Sequence, residues 1–285
     1  MLTLAIHIDD CAMTGNNQGL INEHCKCLNH RYQLTHFGPI RWLLGIKVNH
    51  DFVTHTIALS QVNYINTLLK RFGLVDANAT LVPMDPSASY FRNQCSTNSQ
   101  EIARMRRIPY REIISSLMYI SIATRPDISF TVSTLSQFLD NPGKIHWEAT
   151  KYSFLIDDSA ISWSLCKQEL ITLSTAESEY VAATHTAKEA IWLRCFIIKV
   201  FRPVDKPTRL YSDNQSAIAM ATNSNYYACT KYIDIRYHFI RFVTEDGTIE
   251  LVYCPIDDMA VDTLTQALAL TKARHFATAL RLCIT

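Results

Sequence analysis

The stretch Ala176–Val200 is the clearest helical segment of the chain, and segments with the texture of β-strands lie on both sides of it. Before it come Tyr152–Ile156, a turn at Asp157-Asp158-Ser159, Ala160–Ser164 and Leu170–Leu173. After it, Arg209–Ser212 reads as a short strand feeding a helix over Gln215–Ala221, and Ile249–Tyr253 reads as another strand. Asp257-Asp258 can then cap a closing helix that runs through Leu268. Strands separated by helices commit the second half to a mixed α/β arrangement.

The first half is built differently. Leu2, Leu4, Ile6 and Ile8 alternate with Thr3, Ala5 and His7, the period of a half-buried strand, which ends in Asp9-Asp10. Met13-Thr14-Gly15-Asn16-Asn17 supplies turn chemistry, and a helix is expected around Ile21–Tyr32. Phe37-Gly38-Pro39 breaks it, and Trp42–Val48 with Ile57–Leu59 reads as a strand pair. Tyr64, Ile65, Leu68, Leu69 and Phe72 then fall at helical spacing. The region 76–100, with Pro83, Pro86 and scattered Ser and Asn, reads as a linker. A second helical block starts near Tyr110, is interrupted at Arg125-Pro126-Asp127, resumes through Phe138 and ends at Pro142-Gly143.

A chain of 285 residues with 48% hydrophobic content can bury one or two ordinary cores. Its 27 basic and 26 acidic residues nearly cancel, so any footprint on nucleic-acid phosphate must be local. Nine cysteines at irregular spacing, with no CxxC pair, point to reduced thiols and an intracellular setting, cytoplasm or nucleus. His24, Cys25, Cys27 and His30 have the residue types of a zinc site. Two cysteines two apart on a helix face different ways, which argues against one. No apolar run reaches membrane-span length, so no membrane partner is expected, and no small-molecule substrate is evident.

Two adjacent carboxylates at a turn, as in Asp9-Asp10, repel each other unless a divalent cation neutralises them. The same pair is also what an ordinary Asp-rich turn contains, and the neighbouring motifs choose between the two. LTLAIHIDDCAMTG resembles the polymerase hairpin of copia-type reverse transcriptases, with His7 where the family has Tyr. FGPIRWLLGIKV resembles the motif that follows it, and LSQVNYINTLLKRFGL the start of the thumb. The block from Tyr110 through HWEA resembles the family's connecting segment. ISWSLCKQELITLSTAESEYVAATHTAKEAIWL, LYSDNQSAIAMA, TKYIDIRYHFIR and LVYCPIDDMAVDTLTQAL follow in the order of its ribonuclease H domain. The chain is therefore identified as resembling a copia-type retrotransposon Pol polyprotein over nearly its whole length.

The resemblance implies an α+β chain in three blocks. These are a reverse-transcriptase palm and thumb remnant over 1–75, a linker and helical connection over 76–150, and an incomplete ribonuclease H-like α/β domain over 151–285. It implies Mg2+ as cofactor and an RNA–DNA hybrid or template-primer as partner. Asp9 and Asp10 would be the polymerase metal ligands, and Glu179, Asp213 and Asp262 three of four ribonuclease H carboxylates. Glu177 is the rival of Glu179 but projects to another side of its helix. Lys231, Arg236, His238 and Arg241 would contact nucleic acid.

The fourth carboxylate belongs on an opening strand, in an Asp-Ala-Asp-Trp-type motif. Here HWEATK runs straight into YSFLIDDSAISWS, which resembles the second strand, so a segment is missing near Lys151-Tyr152. Asp157 and Asp158 fall in the turn after that second strand and do not replace it. Met1 stands directly before the hairpin, an arrangement expected of a shortened polymerase. Ser115, Tyr232 and Gln266 replace an expected Gly, His and Lys. The expectation is a Pol fragment that no longer catalyses, with a residual metal-dependent nuclease and a non-catalytic nucleic-acid-binding module as the alternatives.

Overall fold

The computed structural model describes residues 2–8, 10–15, 17–54, 56–76, 82–152, 174–200, 204–223 and 239–280. In chain order the elements are β1 (Leu2–His7), β2 (Asp10–Gly15), α1 (Gln18–Tyr32), β3 (Trp42–Leu43), β4 (Ile46–Asp51), β5 (Thr56–Ser60) and α2 (Val62–Phe72). Then come α3 (Ser99–Met105), α4 (Tyr110–Ala123), α5 (Ser129–Ser136), α6 (Lys144–Tyr152) and α7 (Thr175–Val200). The remainder is β6 (Thr208–Ser212), α8 (Gln215–Thr222), α9 (Phe239–Glu245), β7 (Ile249–Tyr253), α10 (Asp262–Thr265) and α11 (Leu270–Ala279). Helix and strand are thus mixed, and the chain folds into two compact units. One holds Met1–Gly38 with Gln168–Met259, the other Pro39–Lys167 with Ala260–Thr285.

In the first unit, β1 and β2 form an antiparallel hairpin with His7 opposite Asp10. Ile8 leaves β1 at φ 52°, a left-handed backbone that β-branched residues rarely adopt. Asn17 caps α1, its Oδ1 accepting from the Gly19 and Leu20 amides. Met13 of β2 meets Cys25 of α1 at 4.0 Å between sulfurs. The other part of this unit is an α/β core. β6 and β7 pair in parallel, Thr208 with Ile249 through Ser212 with Tyr253, as a connection through helices α8 and α9 permits. Tyr180, Val181 and Ala187 of α7 pack with Ala217, Met220, Ile240, Val243 and Ile249. Arg194 of the same helix donates to the carbonyls of Val204 and Lys206, tying the helix to the approach to β6.

In the second unit, β3, β4 and β5 form an antiparallel sheet. The expected strand over Trp42–Val48 is in fact a hairpin, because Leu44 and Gly45 both have positive φ (51° and 79°), the geometry of a two-residue turn. The Tyr119 hydroxyl on α4 donates to the Leu44 carbonyl and holds that turn. Leu68 of α2 packs with Tyr110, Ile113, Ile114, Leu117 and Ile120 of α4 and with Ile128, Val132 and Leu135. These positions follow the 3.6-residue period read from the sequence. The 76–100 segment contains a short 3-10 turn at Arg92–Gln94, and α3 begins inside it at Ser99.

Two expectations are corrected here. Tyr152 closes α6 instead of opening a strand. The rest of the three strands expected before the long helix, and Asp157 and Asp158, lie outside the described residues. The single closing helix is broken into a 3-10 turn at Ile256–Asp258, the four-residue α10 and then α11. Met259, Thr263, Leu264 and Leu268 are all buried, a spacing that one straight helix does not keep on a single face.

His146 on α6 sits fully buried and stacks on Phe138, with ring centroids 4.0 Å apart. Its Nδ1 accepts from the Gly143 amide at 2.8 Å, so the ring is neutral in this setting, and burial lowers its pKa. Gly143 lies so close to the Gln94 carbonyl that no Cβ fits there. A folded-state pKa below the unfolded value of about 6.5 gives stability that is complete above that pH and lost as the pH falls below it. Between about pH 7.5 and about pH 5.5 the parent chain is expected to lose about 1 kcal/mol more stability in urea than His146→Gln. Equal losses in the two proteins would remove His146 from the account.

Candidate functional site

The carboxyl ends of parallel strands gather functional groups because the loops that leave them open at one edge of the sheet. β6 and β7 end together here, with the Cys254 amide donating to the Ser212 carbonyl at 2.9 Å. Asp213 follows directly, half-buried, and Asn214 caps α8 by accepting from the Ala217 amide at 3.0 Å. The strand-to-helix corner expected around Asp213 is therefore present. Burial, together with the charges of Asp258 and Asp213, pushes the Cys254 thiol up and keeps it protonated near neutral pH. The charges of Asp258 and Asp213 thus both reach the Cys254 thiol at the end of β7. From the sequence Asp258 is expected only to cap a helix, because its closeness to Cys254 follows from the end of β7 five residues earlier.

Glu179 stands exposed in the first turns of α7, next to the fully buried Tyr180 and Val181. Its rival Glu177 is half-buried. Both make electrostatic or hydrogen-bonding contacts with the rest of the protein. Asp262 belongs to the second unit, where it heads α10. Its Oδ2 lies 3.8 Å from the Lys272 ammonium, which also sits over the Phe276 ring. Asp10 opens β2 and is exposed, whereas Asp9 lies outside the described residues.

Lys231, Arg236, His238 and Tyr232 also lie outside the described residues. Arg241, expected on a nucleic-acid surface, is buried at 4% exposure. Its Nε donates to the Met220 carbonyl at 2.7 Å, and its guanidinium lies 5.7 Å from the Tyr180 ring centre. A cation in that position braces α9 against α8 and α7, and it offers little to a phosphate outside. The α1 group His24, Cys25, Cys27 and His30 is helical as expected, with Cys25 turned to Met13 and Cys27 exposed.

Among the described residues, no three His, Cys, Asp or Glu side chains converge as a metal site. A divalent cation of the magnesium type takes at least one or two carboxylates in a shared octahedral shell. Among the described residues the carboxylates form no group of three, and of the pair Asp9-Asp10 only Asp10 is described. Nor is any helix among the described residues long and apolar enough to cross a membrane.

A reverse transcriptase (RNA-dependent DNA polymerase) family model matches residues 1–86. The chain is similar to the retrovirus-related Pol polyprotein from transposon TNT 1-94 of Nicotiana tabacum, 32% identical over 95% of this chain and 24% of the relative. It is also similar to the retrovirus-related Pol polyproteins from transposons RE1 and RE2 of Arabidopsis thaliana. These are 28% and 25% identical over 96% and 97% of this chain, each match covering 21% of the relative. The chain thus spans less than a quarter of the length of these relatives. No solved structure matches it. The tobacco match extends over 314 residues, yet 95% of 285 residues is about 270, so about 40 aligned positions are absent from this chain. The two Arabidopsis matches, at 320 and 321 residues, show the same shortfall.

Proposed function

Over nearly all of its length this chain is a homologue of copia-type retrotransposon Pol polyproteins, and from that premise we propose that it is a Pol segment whose ribonuclease H part does not hydrolyse RNA. Residues 1–75 are read as the polymerase hairpin and the start of the thumb, 76–150 as the connection, and 151–285 as the ribonuclease H-like part. Asp9 and Asp10 descend from the polymerase metal ligands, and Glu179, Asp213 and Asp262 from those of the nuclease. The partner class is an RNA–DNA hybrid or template-primer.

One observation carries the reading of inactivity. The relatives hold about 40 positions inside the match that this chain lacks, and the motif order puts that shortfall where HWEATK meets YSFLIDD, ahead of Glu179. Two-metal hydrolysis needs a shell of carboxylates that neutralises both cations and holds them about 4 Å apart. A set that loses one ligand of four would hold its cations with one negative charge fewer, whatever Glu179, Asp213 and Asp262 still do.

The test is cleavage of a labelled RNA–DNA hybrid by the purified chain with Mg2+ or Mn2+, beside Asp213→Asn. The expected result is that both proteins leave the hybrid at the buffer rate. Metal-dependent cleavage by the parent that Asp213→Asn abolishes would establish the residual nuclease instead.

A further inference from the structure

In a chain whose charges nearly cancel, the cations that have no counter-ion identify where an anion can bind. Arg71 pairs with Glu112, Arg111 with Asp140, Arg125 with Asp127 and Arg209 with Glu250. Arg194 and Arg241 spend their guanidiniums on backbone carbonyls. Arg31, Arg41, Arg92 and Arg274 also lack an ion pair among the described residues but stand singly, whereas Arg104, Arg106 and Arg107 are clustered. They occupy three of four consecutive positions, all three are exposed, and none has an ion pair or side-chain hydrogen bond among the described residues. The acids nearest in sequence do not quench them. Glu101 is half-buried in the first turn of α3, and Glu112 is held by Arg71.

The backbone beneath these arginines is fixed. The Arg106 amide donates to Ile102, the Arg107 amide to Arg104 and the Ile108 amide to Met105, so α3 ends in two further hydrogen-bonded turns. Met105 is buried between the arginines, and Tyr110, also buried, donates its hydroxyl to the Leu135 carbonyl at 2.8 Å. The segment is thus anchored on both sides while its charged side chains project into solvent. Such an arrangement lowers the ordering cost of binding, because only side-chain freedom remains to be lost.

From this we infer that Arg104, Arg106 and Arg107 form a phosphate-binding patch for the backbone of a nucleic acid. The guanidinium fork matches phosphate oxygens two at a time, and three of them release condensed counter-ions when they dock. No large apolar side chain is exposed between Ser99 and Arg111. The patch therefore lacks the apolar anchor by which a basic segment enters a lipid surface. The choice of nucleic acid as partner rests on the Pol ancestry proposed above, whereas the patch itself rests on the unpaired arginines.

The experiment is fluorescence anisotropy of a labelled RNA–DNA hybrid with the full chain across about 50 to about 300 mM NaCl. It is repeated with R104A/R106A/R107A and with R104K/R106K/R107K. The alanine triple is expected to bind at least about 10-fold more weakly at about 100 mM salt, and its log–log salt slope to be shallower by about 2 to 3. The lysine triple should keep most of the slope and lose part of the affinity. An unchanged near-ultraviolet spectrum and urea midpoint would show that the variants are folded. The inference is overturned if the alanine triple matches the parent, if the parent does not bind the hybrid, or if the parent prefers anionic vesicles. Hydrolysis by the parent, read on the same hybrid by gel, sinks the silent-nuclease reading without altering the salt slope, so the two can fail separately.

Discussion

Asp127→Ala is expected to destabilise the second unit by about 3 to 5 kcal/mol, a large share of the about 5 to 15 kcal/mol that a typical domain has to lose. Arg125 and Asp127 sit in the turn between α4 and α5, at 1% and 8% exposure. They meet through two bonds, Nε to Oδ1 at 2.8 Å and Nη2 to Oδ2 at 2.7 Å. Removing the carboxylate leaves a guanidinium in the interior with its charge uncompensated, and the cost is chiefly that stranded charge. The neighbouring Thr124 hydroxyl bonds Gln61 at 2.7 Å, so the turn also ties α2 to α4. Replacing both members together, Arg125→Met with Asp127→Leu, removes the charges in pairs and should cost far less, about 1 kcal/mol or below. Glu112→Ala, which breaks an exposed pair with Arg71, should fall within the usual surface range of about 0 to 1 kcal/mol. Urea denaturation of the four proteins checks the ordering. If Asp127→Ala fell in the surface range, this pair would not be the internal brace described.

The larger expected effect is a gain of activity. If the shortfall lies at Lys151-Tyr152 as proposed, inserting there the about 40 residues that the tobacco relative holds and this chain lacks should supply the opening strand and its aspartate. α6 runs helically up to that point, so the insertion continues an existing helix instead of interrupting a strand. With four carboxylates again in order, hydrolysis of hybrid RNA is expected to rise at least about 1,000-fold over the parent, a modest share of what two-metal sites supply. The same insertion carrying Asp213→Asn should fall back to the buffer rate.

How far the sequence already contained this picture depends on what each residue had to reveal. Helices that bury one face were plain: Tyr110, Ile113, Ile114 and Leu117 were spaced for it and are all buried. The strand at Ile249–Tyr253 and the Asp213 corner also fell where expected. The turn at Leu44-Gly45 was hidden because Leu44 adopts a positive φ that apolar residues seldom take. The break after Asp258 was hidden because Met259 and Leu264 are buried for tertiary reasons that local periodicity does not encode. Arg241 read as a surface cation because its partner, the Met220 carbonyl, lies on another helix 21 residues away. For the site, residue types and motif order supplied the candidates, and the structure describes Asp10, Glu179, Asp213, Asp262 and Arg241 of them. That Asp213 and Asp258 both act on Cys254 through their charge needed the strand pairing.

Whether the shortened nuclease part is silent is decided by placing four proteins on one labelled hybrid under single-turnover conditions with Mg2+. They are the parent, its Asp213→Asn variant, the parent with the inserted segment, and the inserted form with Asp213→Asn. Cleavage by the inserted form alone is expected. Cleavage by the parent that disappears with Asp213→Asn would contradict it, and would mean that Glu179, Asp213 and Asp262 suffice without the missing strand.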